Sequence, residues 1–337
     1  MSASRYHRRP IPSDPLGLVR VSALEGCRLP VLVEPALPGL ELVAWAKAAY
    51  DAIDGLLARH KALLFRGFAG QSADRFGALV AATSKAKPLE YVDRTTPRTR
   101  LADGVYSSTI YPARHTIEQH SEGTYWLNWP GRLYFACAVA PARGGETPLT
   151  DNAAVLARLP VALREAFEVK GFTLIRNFNK GFGLTWQEAF QTEDRAAVEA
   201  WCRDHGIEFT WRAGEGLATR QSRKAIRRNP RTGSAVWFSH AAFFHASAFD
   251  REVMAGLIDA CGPDELPYDT CFGDGSPIAA EAVETIRAAL AAETDRFSWR
   301  EGDMLIVDNM AVGHGRTPYE GERQVLVAMT EPLTDAG

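Results

Sequence analysis

The 337-residue chain is 46% hydrophobic and 23% charged, close to the average for soluble globular proteins, which argues against disorder, collagen and coiled coil. Its 38 basic residues nearly balance 41 acidic ones, so bulk charge favours neither nucleic acid nor an anionic membrane as a partner. Five scattered cysteines without a C-x-x-C spell out neither a disulfide framework nor a thiolate zinc site. The N-terminus lacks the apolar stretch of a secretory signal, and the longest apolar run, 133–140, is too short to span a bilayer. A cytoplasmic, reduced protein is the expectation.

Residues 1–38 carry six of the 19 prolines and little periodicity, the mark of an extended leader laid over the body. Leu42, Ala46, Ala49, Ile53, Leu56 and Leu57 recur at helical spacing through 41–60. A short buried strand follows over 62–68, and Ser72 heads a second helix carrying Phe76, Leu79 and Val80. Short β-prone runs at 105–111 and 132–140 alternate with turn material such as Trp-Pro-Gly at 129–131. Helix returns over 160–167, with Pro160 at its first position, and over an Ala-rich 188–205. Strands are expected at 208–211 and 235–238, a helix over 276–293, and two strong strands at 303–308 and 324–329. No repeat or low-complexity tract interrupts this order. Antiparallel-style strands without β-α-β alternation read as α+β, and a double-stranded β-helix (jelly roll) decorated with helices fits them. The chain reads as one domain, 1–337, with a helical, lid-like insertion over 153–235.

Of eight histidines, only His120 is followed two residues later by an acid, in His120-Ser-Glu122. Strand alternation would turn both side chains to one face, where they could grip a metal ion. This composition yields about one such pair by chance, and a surface pair is the plain alternative. The second feature is the stretch 308–319, Asp-Asn-Met-Ala-Val-Gly-His-Gly-Arg-Thr-Pro-Tyr. There a strand delivers His314 at its end, between glycines that let the backbone turn; a loop or capping histidine is the alternative. Two imidazoles and one carboxylate leave three open positions on an octahedral ion, a facial set suited to Fe(II). Arg323 opens the last apolar strand and has the fork geometry to clamp a carboxylate. In Gly144-Gly-Glu-Thr147 the glycines allow a tight approach, and Thr147 lies 25 residues after Glu122, room enough for a hairpin return to the same pocket.

Together His120-x-Glu122, Gly144-Gly-Glu-Thr147 and His314-x-Arg-Thr-Pro followed by Arg323 resemble the iron(II)/2-oxoglutarate dioxygenases of the taurine dioxygenase (TauD/TfdA-like) group. Stretches at 63–68, 134–137 and 236–238 are similar too, so the resemblance covers most of the chain. In texture it is nearest the branch that includes clavaminate synthase and the amino-acid hydroxylases of nonribosomal peptide pathways. The resemblance implies a jelly roll with His120, Glu122 and His314 as iron ligands. It also implies Arg323 on the remote carboxylate of 2-oxoglutarate, with Thr147 as its hydrogen-bonding partner. Many members carry further arginines where Gln324 and Val325 follow here, and Arg316 is a second candidate for a carboxylate of co-substrate or substrate. Related halogenases have a small residue where Glu122 stands, so a carboxylate points to hydroxylation or desaturation. The implied reaction consumes 2-oxoglutarate and O2, releases succinate and CO2, and hydroxylates an aliphatic C–H of an amino acid or amino-acid-derived substrate. Tyr125 matches a position where related enzymes often place a pocket-lining aromatic; a core tyrosine is the alternative.

Arg220, Arg223, Lys224, Arg227, Arg228 and Arg231 put six cations in twelve residues. At helical spacing they would share one face, either a solvated surface or a docking patch for an acidic partner such as a carrier protein bearing an amino acid. His240 and His245 miss the spacing of a helical metal pair and read as pocket-wall or core residues; His115 reads as structural or exposed. Three rivals stay open. They are desaturation or oxidative ring closure on the same iron, a silent jelly roll that binds 2-oxoglutarate or a metabolite, and a zinc hydrolase, which would leave Arg323 without a purpose. Substrate choice is expected to lie in lids and loops over 90–118 and 176–250.

Overall fold

The computed structural model describes residues 15–89, 93, 100–102, 104–107, 111–178, 181 and 183–335. Its largest sheet has eight strands in the order Val19–Ala23, Val31–Pro35, Ala62–Phe65, Met304–Asp308, Trp129–Val139, Gln324–Leu333, Val105–Ser107 and Arg100–Ala102. All its pairings are antiparallel except that of Val31–Pro35 with Ala62–Phe65.

The central strands are continuous apolar runs because both sheet faces are covered. Alternate residues go to opposite sides. Leu63, Phe65, Tyr134, Ile306 and Ala328 pack under Trp45, Ile53, Leu57 and Leu79 of the helices Leu42–Ala48, Tyr50–His60 and Phe76–Thr83. Leu64, Leu133, Phe135, Leu305, Val307, Val325 and Val327 pack the other way, with Leu149 and Val312 of a second sheet. That sheet runs Thr294–Asp295, Leu149–Asp151, Val312–Arg316, Ile117–His120. A third sheet, Glu208–Trp211, Leu217–Arg223, Phe172–Phe178 and Tyr268–Phe272, has its own cores. Phe172 and Leu174 meet Phe167, Trp237 and Ile286, while Phe178 and Leu217 meet Val198 and Cys202. Helices and sheets are mixed as α+β requires. Among the described residues no helix is long and apolar enough to cross a membrane, and all five cysteines are free.

Several elements differ from their sequence reading. Residues 1–14 lie outside the described residues, but the rest of the leader carries Val19–Ala23 and Val31–Pro35, which form an edge of the large sheet. Their valines supply the β-branched content that the prolines obscured. The 41–60 helix divides at Ala49 (φ −103°, ψ 18°). Ser72 heads a single 3-10 turn, Ala73–Arg75, without a side-chain cap bond, and Pro160 is the N-cap of Val161–Lys170. The 188–205 helix is two, Trp186–Phe190 and Arg195–Asp204, because Gln191 turns left-handed (φ 56°) and Asp194 caps the second. The 153–235 segment carries strands as well as helices. Phe172–Phe178 is buried along nearly its whole length, so no alternation marks it. Much of 90–118, including residues 108–110 of the 105–111 strand, lies outside the described residues, as do 179, 180 and 182 of the second expected loop.

At the centre of the large sheet the Arg66 guanidinium donates to both oxygens of Asp303 (2.8 and 2.6 Å), with both residues buried. The pair ties the end of Ala62–Phe65 to the start of Met304–Asp308. Arg66→Met is expected to strand that carboxylate and lower the unfolding free energy by about 3 kcal/mol, measured by urea denaturation, whereas a loss below about 1 kcal/mol would mean that Asp303 finds other donors.

Candidate active site

Val312–Arg316 pairs antiparallel with Ile117–His120, and His314 stands directly opposite His120. The two ring centroids are 4.5 Å apart. Ligand atoms of His120, Glu122 and His314 all lie within 4.8 Å of one another. The strands approach closely because residue 315 has no side chain. A Cβ on Gly315 would stand 2.5 Å from the Ile117 carbonyl oxygen, and one on Gly313 would meet Asn152 Oδ1 at 3.3 Å. His314 thus sits inside a strand rather than at its end, and its flanking glycines serve proximity instead of a turn.

Glu122 does not arrive by strand alternation. The strand stops at His120, and Glu122 lies in the turn beyond, followed by Gly123 at φ 69°. Buried Asn309 holds this turn. Its Oδ1 accepts the Glu122 amide N–H (2.8 Å), and its Nδ2 donates to the carbonyls of Glu122 (2.9 Å) and Pro130 (2.8 Å). Asp308 accepts the Met310 and Ala311 amides and the Asn229 side chain. His120 Nδ1 is 2.8 Å from the Glu118 carbonyl oxygen. A carbonyl only accepts, so that nitrogen carries the proton and Nε2 is the one offered to a metal. Two imidazoles and one carboxylate are a donor set that fits ferrous iron.

The two histidines line one cavity with Phe135, Val325, Val327, Thr147, Arg316 and Arg323. Arg323 Nε donates to the Gly145 carbonyl (2.9 Å). Burial first, and the neighbouring Arg316 second, push its pKa down to about 10. Among the described residues it forms no ion pair, so an anion in the cavity would relieve that desolvation. Thr147 Oγ1 accepts the Trp299 indole N–H (3.0 Å), which leaves its own proton to donate. A half-buried guanidinium and a hydroxyl donor in the cavity of the two imidazoles fit a keto acid with a remote carboxylate. Gly145 (φ 69°) seats the arginine, since a Cβ there would lie 3.0 Å from Arg323 Cδ.

Other expected site residues are placed differently. Arg316 lines the cavity, but its Nη1 donates to the Tyr111 carbonyl (2.9 Å) and its Nη2 to those of Pro112 and His115 (2.8 Å each). Through these bonds it fastens the 111–115 segment, while its Nε is buried without a partner. Tyr125, 1% exposed, is a core residue packed edge-on against His240 (5.3 Å) and Phe244 (6.1 Å). His240 shares a 2.5 Å hydrogen bond between its Nδ1 and Thr124 Oγ1, and its ring lies 5.5 Å from that of His120. Burial, with His120 next, holds its pKa well below the ordinary value, so it stays neutral there. His245 caps a 3-10 turn, and His115 is exposed.

The basic run forms no helical face. It lies on the strands Leu217–Arg223 and Ile226–Arg228 and the turn beyond, where alternation separates its members. Arg227 is buried 3.8 Å over the Trp129 ring, Arg223 bonds the His205 carbonyl (2.7 Å), and Arg231 pairs with Asp54, Asp308 and Glu331. Arg220, Lys224 and Arg228 are exposed, so the run presents three cations to solvent and not one face of six. Conversely, Asn309 and Trp299 escaped the sequence reading. The signal for the first was the Asp308-Asn309 doublet closing an apolar strand, which marks a turn held by side chains.

Fold and site together define an iron- and 2-oxoglutarate-dependent dioxygenase. The chain belongs to the family described as Taurine catabolism dioxygenase TauD, TfdA, which its residues 28–330 match. The dapdiamide synthesis protein DdaC of Enterobacter agglomerans is 41% identical over 285 residues, 85% of this chain and 86% of that protein. A clavaminate synthase-like protein of Arabidopsis thaliana is 29% identical over 287 residues, 82% and 83% of the two chains. Among solved structures, PvcB from Pseudomonas aeruginosa aligns with a TM-score of 0.56 at 17% identity, covering 95% of this chain and 92% of that one. A taurine dioxygenase from Burkholderia xenovorans gives 0.54 at 16% identity over 94% and 92%. At these identities the structural likeness is one of fold.

Gly315→Ala is expected to force the paired strands apart and weaken ferrous-ion binding by at least about tenfold, and Gly313→Ala to do so less; anaerobic titration with Fe(II) reads both. Asn309→Ala is expected to cost about 10- to 100-fold in the same titration because the turn presenting Glu122 loses its clamp. Unchanged affinity would show that the turn holds itself.

Proposed function

We propose that the chain hydroxylates an aliphatic C–H of an amino acid or amino-acid-derived molecule on a jelly-roll frame made by the two facing sheets. His120, Glu122 and His314 hold the iron, and Arg323 with Thr147 holds the remote carboxylate of 2-oxoglutarate. The observation that carries this reading is the convergence of two imidazoles and a carboxylate beside a cavity that also contains a half-buried arginine, which forms no ion pair among the described residues. When bound, iron with 2-oxoglutarate and O2 supplies the oxidising power that converts C–H to C–OH, the keto acid leaving as succinate and CO2.

The protein's own groups position and shield. Arg323 offers parallel N–H donors to a carboxylate, and the Thr147 proton, oriented by Trp299, adds a third. Phe135, Val325 and Val327 keep the cavity wall apolar and exclude water. Phe243, 5.0 Å from the His120 ring, does the same on another side of that imidazole. Glu122 fills the third ligand position with a carboxylate, which supports hydroxylation over halide transfer. The 41% identity to a dapdiamide synthesis protein supports a biosynthetic small-molecule substrate. The basic run presents only Arg220, Lys224 and Arg228 to an acidic carrier protein, so free and carrier-borne substrates are both to be offered.

The test is a screen of amino acids, free and as carrier thioesters, for iron-dependent succinate release coupled to O2 uptake, with the product weighed by mass spectrometry. Gain of one oxygen is expected; loss of two hydrogens would assign desaturation or ring closure instead. Arg323→Met is expected to raise the KM for 2-oxoglutarate by about thirtyfold, the worth of a charge-assisted hydrogen bond, with little change in kcat. An unaltered KM would remove Arg323 from the co-substrate site.

A further inference from the structure

We infer that Asn152 is a positioning residue for the metal group, because its side-chain amide ties the segment that carries His120 and Glu122 to the segment that carries His314. Asn152 takes this role only if those three residues are the ligands, as proposed above.

The strand ladder alone holds these two segments loosely. Among the described residues Ile117–His120 is the last strand of its sheet, so it is paired on one side only. It meets Val312–Arg316 at two residue pairs, His120 with His314 and Ile117 with Arg316, and the register is irregular between them. The strand ends at His120, and Ser121 and Glu122 follow outside it. A metal ion accepts only small errors in ligand position, so a one-sided, irregular pairing needs restraint from packed side chains.

Asn152 supplies that restraint. Its Nδ2 donates to Oγ of Ser121 (2.8 Å), the residue between two ligands, and to the Met310 carbonyl (2.9 Å). A carbonyl only accepts, which fixes the orientation of the amide. The Asn152 backbone N–H donates to the Ala311 carbonyl (3.0 Å). Side chain and backbone together therefore grip two successive residues of the turn that leads into Val312–Arg316. The same side chain covers Gly313, where a Cβ would stand 3.3 Å from Oδ1. Asn152, Ser121 and Met310 are all buried, so losing the donor leaves its acceptors unmet. Asn152 is itself anchored, because it opens the helix Asn152–Arg158 behind the Asp151 cap and Asp151 pairs with Val312. Asn309 holds Glu122 by its backbone; Asn152 holds the residue before it by its side chain.

The test is anaerobic titration of the full chain with Fe(II), and separately with Co(II), whose visible absorption reports the geometry of its ligands. Asn152→Leu keeps the bulk and loses both donors; it is expected to weaken Fe(II) binding by about 10- to 100-fold and to alter the Co(II) spectrum. Ser121→Ala is expected to weaken binding less, since the Met310 bond survives, with the Tm unchanged. Combined with Asn152→Leu it is expected to add little, because the two residues share one bond. Asp151→Ala removes the cap of the same helix and leaves the Ser121 bond in place. It is expected to lower the Tm but to leave the Fe(II) affinity and the Co(II) spectrum as they are. Unchanged affinity in Asn152→Leu, multiplied effects in the double variant, or an equal loss in Asp151→Ala overturns the role of Asn152. Should Asn152→Leu fail to fold, Ser121→Ala decides alone, and an unchanged affinity there overturns it. A wild-type chain that binds neither ion overturns the ligand reading itself, and Asn152 with it; a wild-type chain that binds both, beside variants that bind as well, overturns only the role of Asn152.

Discussion

His314 and His120 face each other across an antiparallel pairing whose closeness depends on a missing side chain at Gly315. Metal–ligand distances near 2 Å tolerate errors of only a few tenths of an ångström, while strands sit about 4.8 Å apart and slip in steps of a residue. The protein therefore needs a register that cannot slide. It has one because Val312 is locked in the core between the two sheets with Leu149 and Leu133, and because the Ile117 carbonyl allows nothing larger than glycine opposite it.

Behind this pairing lies a second, polar layer of restraint. Asn309 joins the turn of Glu122 to the Met304–Asp308 strand, and Asp308 joins that strand to Asn229 and Arg231. Arg231 and Arg132 share Asp54 and Glu331, which reaches the helix Tyr50–His60 and the strands Trp129–Val139 and Gln324–Leu333. Removing one member of such a partly buried ionic group strands the others. The carboxylate that completes the candidate metal-binding group is thus held by the same connections that hold the large sheet together.

Much of the candidate site was legible in the sequence, because ligand chemistry limits which residue types can serve, and His120, Glu122, His314, Thr147 and Arg323, which the structure brings together, are drawn from that short menu. The reasons were less legible than the residues. Glu122 was expected on the strand of His120 and stands in the next turn, a placement that depends on Asn309, 187 residues away. The central strands could be found as apolar runs, but burial on both faces removed the alternation that would have told which face meets which layer. Arg220, Arg223, Arg227 and Arg231 mimic a helix because spacings of three and four also occur along two short strands joined by a turn. Only the contacts of Arg227 with Trp129 and of Arg231 with three acids distinguish the two, and those partners are remote in sequence.

Met304–Asp308 inserts between Ala62–Phe65 and Trp129–Val139, and Gln324–Leu333 covers the other side of Trp129–Val139. Arg66 and Asp303, which bond at this seam, are 237 residues apart. Met304–Asp308 and Gln324–Leu333 are made after their neighbours, so Ala62–Phe65 and Trp129–Val139, two of the most apolar strands, wait with open edges until these have emerged from the ribosome. The nascent protein is then most prone to clump, and chaperones that shield bare strands suit it best. The candidate metal group follows the same timetable, since His314 lies on Val312–Arg316, a strand made after Met304–Asp308, and the group is incomplete until it has emerged.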